Sequence, residues 1–190
     1  MIRAIDTKYN GYRFRSRLEA RWAVFFDSLR IEYEYEKEGF KLPSGQYLPD
    51  FWLPELRSGV WVEIKPFDKR SDAKPRRRIT ELAAHTGQEV ILFKGDPLSG
   101  VERYARTGWP GAAGSTDLSH SLSGYDSPYL FCICPTCGAV GLEYEGRAER
   151  ICAHGAGDKH RNPSHPRIMT AATAARQARF EFGEVPVVKR

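Results

Sequence analysis

The sequence predicts a helix-flanked mixed sheet of the α/β (α+β) class, followed by a small cysteine-rich module with a C-terminal helix. Two observations predict it. First, a helix-periodic run precedes several short β-patterned stretches, a basic helix and one more apolar β stretch, an order that suits helices laid against a mixed sheet. Second, all four cysteines (Cys132, Cys134, Cys137 and Cys152) fall within 21 residues, behind the Gly/Ser-rich stretch 108–127. The chain thus divides into a domain over 1–107, a linker over 108–127 and a module over 128–190.

Composition narrows the classes. At 190 residues there is room for one domain plus a small module. A 41% hydrophobic share with 12% aromatics excludes a disordered tail and requires a core. The apolar runs fall far short of a bilayer span, so no membrane partner is expected. Residues 1–6 lack the apolar stretch of a signal peptide, which predicts a cytoplasmic protein. Twenty-nine Lys and Arg against 24 Asp and Glu leave +5, which permits a polyanionic partner.

The elements follow in order. Residues 16–30 read as a helix, with Leu18, Trp22, Phe25, Phe26 and Leu29 at helical spacing. Residues 31–38 alternate, Ile and Tyr inward and glutamates outward, as one strand. Tyr47–Leu53 and Val60–Lys65 read as the second and third strands, the latter ended by Pro66. Residues 72–86 form a basic helix with Pro75 in its first turn. Glu89–Lys94 is a fourth, more buried strand, and a short helix is expected near 98–107. In the module, Tyr129–Ile133 is strand-like, 142–151 suggests a hairpin turning at Glu145-Gly146, and 166–180 reads as an Ala-rich helix placed to pack on that hairpin.

Strands two and three bring acidic residues together. A four-residue loop over 55–58 sets Pro54 opposite Gly59, and Asp50 then falls opposite Glu63. Cross-strand partners lie about 4.5–5.5 Å apart at Cβ, where two carboxylates repel and a divalent cation relieves the conflict. Lys65 shares the face of Glu63, two residues on. Glu19 has two roles open to it. Ser16-Arg-Leu-Glu19 fits a capping box, yet Glu19 also shares the inward face of Trp22, Ala23 and Phe26, where a carboxylate needs a partner or a metal.

Pro49-Asp50 followed by Glu63-Ile64-Lys65, with Glu19 on the preceding helix, resembles the PD-(D/E)xK nuclease superfamily over roughly residues 10–95. The resemblance implies a restriction endonuclease-like mixed sheet and metal-dependent hydrolysis of DNA phosphodiesters. By it, Glu19, Asp50 and Glu63, with the carbonyl of Ile64, would hold Mg²⁺ or Mn²⁺, and Lys65 would assist the attacking water. Compact members include Holliday-junction resolvases, transposase endonuclease subunits and small phage endonucleases, which points to the cytoplasm of a bacterial or phage-infected cell and admits a homodimer.

Two further features bear on partners. Seven basic and two acidic residues lie between Lys65 and Arg78. Lys69, Arg70, Lys74, Arg76, Arg77 and Arg78, with Arg17 and Arg21 on the first helix, are candidate contacts to a duplex or branched DNA backbone. Arg13 and Arg15, and Arg167, Arg176 and Arg179 in the last helix, add to that charge or are simply solvated. Cys134-Pro-Thr-Cys137-Gly138 is a zinc knuckle and Cys152 a third ligand. His160 is the preferred fourth ligand of the Zn²⁺, with His154, His165 and Cys132 as alternatives, and the module resembles a zinc ribbon. Such a zinc-binding module could dock nucleic acid or a protein partner. The readings that compete with an endonuclease are a catalytically inactive nucleic-acid-binding or assembly protein keeping the fold, and a zinc-ribbon adaptor.

Overall fold

Strands β1 (Thr7–Tyr9) and β2 (Tyr12–Phe14) form a hairpin joined by Asn10-Gly11, both at positive φ (45° and 81°). Asn-Gly suits such a two-residue turn because both positions need left-handed backbone. In this computed structural model the described residues are 7–56, 59–66, 73–98, 105–107, 129–144, 152, 165–181, 184 and 186. Helix α1 (Arg17–Leu29) starts at Ser16, whose hydroxyl accepts the Glu19 N–H, and stops at Arg30 in left-handed conformation.

The main sheet has five strands, ordered β3 (Glu34–Tyr35), β6 (Phe51–Leu53), β7 (Val60–Lys65), β8 (Glu89–Lys94) and β9 (Ala105–Thr107). β7 and β8 are parallel, joined through α2 (Ala73–Thr86), and the other neighbours are antiparallel. β7 and β8 lie between other strands and are buried almost throughout. A hairpin of β4 (Phe40–Leu42) and β5 (Gly45–Tyr47) packs with α2 on one face, where Ile79, Leu82 and Ala83 meet Trp52, Trp61, Val90 and Leu92.

The other face carries α1. Val60, Val62, Ile64, Ile91 and Phe93 pack under Trp22, Phe25 and Phe26, with Trp22 stacked on Phe93 at 4.5 Å. The hairpin of β10 (Tyr129–Ile133) and β11 (Val140–Tyr144) and helix α3 (Pro166–Gln177) complete this same core through Phe131, Ile133, Leu142, Ile168 and three alanines. α3 lies chiefly along α1 rather than on the hairpin, and its stripe of Ala171, Ala172 and Ala175 is buried in the same core as the small residues Ala20 and Ala23 of α1.

Several expected elements differ. The stretch 31–38 keeps its alternation, with Ile31 and Tyr35 buried and Glu32 and Glu34 exposed, but only Glu34–Tyr35 pairs. Glu36 turns left-handed at φ 48° and ends it. The single strand expected over 47–53 is two, β5 and β6, split at Leu48-Pro49, where proline offers no N–H to a ladder. Ala105–Thr107 pairs with β8 instead of forming a helix. β11 pairs back to β10 across the cysteine knuckle, so the expected strand start at Leu142 lies inside an existing hairpin, and the turn at 145–146 lies outside the described residues. The last helix ends at Gln177. The stretch 108–127 also lies outside the described residues. Among those residues, no helix is long and apolar enough to cross a membrane.

Candidate active site

The turn between β6 and β7 sets the register. Leu53 pairs with Val60, Trp52 with Trp61 and Phe51 with Val62, so the next step places Asp50 across from Glu63. Gly59 makes this turn possible: its φ is +92°, and a Cβ there would meet the Trp52 ring at 2.3 Å. Asp50 and Glu63 are 3% and 6% exposed, deep burial for carboxylates.

Their contacts converge on one ammonium. Lys65 Nζ pairs with Glu63 Oε1, lies 3.8 Å from Asp50 Oδ2 and donates to the Ile64 carbonyl at 3.0 Å. The same Asp50 oxygen accepts the Ile64 N–H at 2.7 Å. The other side of Glu63 accepts from the Tyr47 hydroxyl at 2.7 Å, and Asp50 Oδ1 faces Arg15 Nη2 at 3.4 Å. Three oxygens from Asp50, Glu63 and the Ile64 backbone thus surround a single positive charge, a hard-oxygen donor set of the kind Mg²⁺ takes.

Glu19 fulfils the capping geometry and more. Its Oε1 accepts from the Ser16 hydroxyl at 2.7 Å, and its Oε2 accepts from the Tyr35 hydroxyl at 2.6 Å and the Arg15 N–H at 3.2 Å. Its charge also reaches Asp50, whose pKa it helps raise. Glu19, Asp50 and Glu63 do not close to within 4.8 Å of one another, whereas Cys134, Cys137 and Cys152 do.

Electrostatics follow from this packing. Burial, then the Glu63 charge, push the Asp50 carboxyl up to about 8, with Glu19 adding to the rise and Lys65 opposing it. Burial would lower Lys65, but the charges of Asp50 and Glu63 outweigh it and raise the ammonium's pKa. Burial raises the Tyr47 and Tyr35 hydroxyls too, and each carboxylate partner, Glu63 and Glu19, adds to the rise, so both phenols stay protonated donors.

Most of the candidate DNA-contacting arginines have partners within the chain. Arg17 pairs with Glu181, and Arg21 with Asp96 at 3.0 Å. Arg77 pairs with Glu81 at 2.8 Å, and Arg78 sits 5.8 Å above the Tyr47 ring. Arg167 donates to the Gly138 carbonyl and Arg176 to those of Pro97 and Leu98. Lys74 and Arg76 belong to α2 but their side chains lie outside the described residues, as do Lys69 and Arg70.

The cysteine site is a separate cluster that could hold a metal such as zinc. Backbone N–H of Cys137, then of Thr136, pull the Cys134 thiol down to about 6, toward the thiolate that ligates metal. Cys132 points elsewhere, its Sγ toward the Gly141 carbonyl at 3.6 Å. His165 Nδ1 caps α3 by accepting the Arg167 N–H, which leaves the proton of a neutral imidazole on Nε2 and disfavours ligation there. His154 and His160 lie outside the described residues.

No known protein family, curated protein or solved structure matches the chain.

Arg15, Tyr35 and Tyr47 were not singled out from the sequence as site residues. The signal was there for the tyrosines: a buried hydroxyl needs a partner, and Tyr35 and Tyr47 fall on inward positions near inward carboxylates. Arg15 gave no such signal, because its side chain reaches the site from outside the periodic elements.

Proposed function

We propose that the chain is a metal-dependent DNA endonuclease of restriction endonuclease-like, PD-(D/E)xK type. The observation that carries this reading is the convergence of Asp50, Glu63 and the Ile64 carbonyl on one positive charge, Lys65, at the ends of adjacent strands. The sheet supports it, with β6, β7 and β8 crossing between α1 and α2. Asp50, Glu63 and the Ile64 carbonyl would hold Mg²⁺ or Mn²⁺, and Glu19 would join them by releasing one of its hydroxyl donors. Such a cation supplies charge neutralisation for the phosphate and acidifies water. Tyr47 holds Glu63 so that Oε1 faces the site. Lys65, displaced from the carboxylates, donates to the attacking water or to the phosphoryl oxygens. The water oxygen joins phosphorus and one ester P–O bond breaks. One product keeps the phosphate and the other a free hydroxyl, with the excess proton passing to solvent.

For the cysteine trio we propose structural Zn²⁺ with His160 as the fourth ligand. DNA is the proposed partner, and a protein partner through the zinc module or a homodimer is compatible with this reading. The test is cleavage of plasmid, linear, branched and single-stranded DNA with Mg²⁺, Mn²⁺ or EDTA. Metal-dependent cutting lost in Asp50→Ala and Lys65→Ala supports the assignment, and cutting that persists in both removes it. DNA binding without cleavage under any condition favours the inactive binding protein.

A further inference from the structure

The Arg15 side chain stands at the mouth of the acidic site with three partners, Glu36, Asp50 and the Tyr35 hydroxyl. Its Nε pairs with Glu36, and its Nη2 lies 3.4 Å from Asp50 Oδ1. Its backbone N–H is held by Glu19 and by the Tyr35 hydroxyl at 3.0 Å. The side chain is nevertheless 55% exposed, against 4% for the Asp50 side chain beneath it. A guanidinium has five N–H donors in a rigid fork, so one bond to each of these three partners leaves donors over, on a side chain more than half exposed, to meet oxygens from outside.

Glu36, which orients it, holds φ 48°, a left-handed conformation uncommon for a residue that is not glycine. The Glu36 N–H donates to the Asp50 carbonyl at 3.0 Å, so the strained residue is tied to the site it flanks. Asp50 thus has a cation on either side: Arg15 at Oδ1, Lys65 at Oδ2. A phosphodiester approaching Asp50 from solvent would meet both. Oriented Arg edges match two phosphate oxygens at once, which Lys cannot do.

We propose that Arg15 grips the phosphodiester of a DNA duplex at the acidic site, and that Glu36 positions its guanidinium for this. This deepens the endonuclease reading and rests on it for the catalytic consequence alone. As the water attacks, negative charge grows on the non-bridging phosphoryl oxygens, and Arg15 donates to one of them. Removing a donor aimed at developing charge costs about 10²–10³ in rate.

The test compares the full chain with Arg15→Ala, Arg15→Lys and Glu36→Gln. A fluorescein-labelled duplex is titrated in EDTA over a range of NaCl, and plasmid nicking is followed in Mg²⁺. The expected result for Arg15→Ala is a binding-versus-salt slope smaller by about one phosphate contact and single-turnover cutting slowed about 10²-fold or more, at a melting temperature near that of the wild type. Arg15→Lys restores the slope but not the rate. Glu36→Gln slows cutting with the slope kept. Should the wild type cut no DNA while Arg15→Ala still loses that slope, the grip stands and the endonuclease reading falls. An unchanged slope in Arg15→Ala overturns the proposal whether or not the wild type cuts.

Discussion

Asp50→Asn is expected to make the metal-free protein more stable. In the fold the Asp50 carboxyl is pushed from 3.8 to about 8, by burial first and then by Glu63. Between those values the folded chain binds a proton at Asp50 that the unfolded chain does not, so wild-type stability falls as pH rises from about 4 to about 8. Asparagine resembles the protonated acid. Its amide oxygen can keep the 2.7 Å bond from the Ile64 N–H, and its NH₂ replaces Oδ1, whose longer contact to the exposed Arg15 is the weaker one. Each pKa unit corresponds to about 1.4 kcal/mol, so some four units set a ceiling of about 6 kcal/mol. That net shift already contains the opposing attraction of Lys65; the amide's NH₂, set against the Arg15 guanidinium where Oδ1 accepted, returns part of it, leaving a gain of about 2–4 kcal/mol at pH 8.5. For a chain of this size that is on the order of 10 °C in melting temperature. The assay is thermal unfolding followed by circular dichroism in EDTA at pH 4, 6 and 8.5. The variant's advantage should be near zero at the lowest pH, widen through the middle and level off above 8. A variant less stable than wild type at pH 8.5, or an advantage independent of pH, would refute the argument that Asp50 is held against its own burial.

Three further outcomes are expected. Gly59→Ala forces a left-handed alanine whose Cβ strikes Trp52 at 2.3 Å, and should cost about 2–4 kcal/mol in denaturant unfolding. Tyr47→Phe removes a buried bond to the Glu63 carboxylate, costing about 1.5–3 kcal/mol, and should also weaken Mn²⁺ binding measured by calorimetry. A Tyr47→Phe protein with wild-type metal affinity would show that Glu63 needs no such restraint. Elemental analysis should find one zinc per chain, lost in Cys137→Ser and reduced in His160→Ala; unchanged zinc in the latter moves the fourth ligand to His154.

The acidic pair was readable because counting a four-residue loop suffices to set one residue opposite another, and β6 and β7 pair in that register. Helix α1 was readable for a similar reason: Ser16 caps it, and Trp22, Phe25, Phe26 and Leu29 recur on one side and are buried there. Where the outcome depended on contacts distant in sequence, the pattern was silent. Tyr35 and Tyr47 each reach a carboxylate sixteen positions away. The alanine stripe of α3 fits any surface of small residues, and α3 lies along α1, whose Ala20 and Ala23 share its core, in preference to the nearby hairpin. Charge runs carry no record of their partners, so Arg17, Arg21 and Arg77 read as open cations although each has an acidic neighbour.

The short segment after β8 ties these parts together. Gly95 donates its N–H to the Lys65 carbonyl and accepts from the Trp22 indole, Asp96 holds Arg21, and the carbonyls of Pro97 and Leu98 hold Arg176 of α3. A cut made where composition alone suggests a boundary therefore opens the core that α1 forms with the sheet, exposing what Phe131, Ile133, Leu142, Ile168 and the α3 alanines cover. Fragments 1–107 and 128–190, expressed apart, should each behave as sticky and incomplete. Mixed together, they should find one another as two halves of a single folding unit, which makes this chain a candidate for a split reporter.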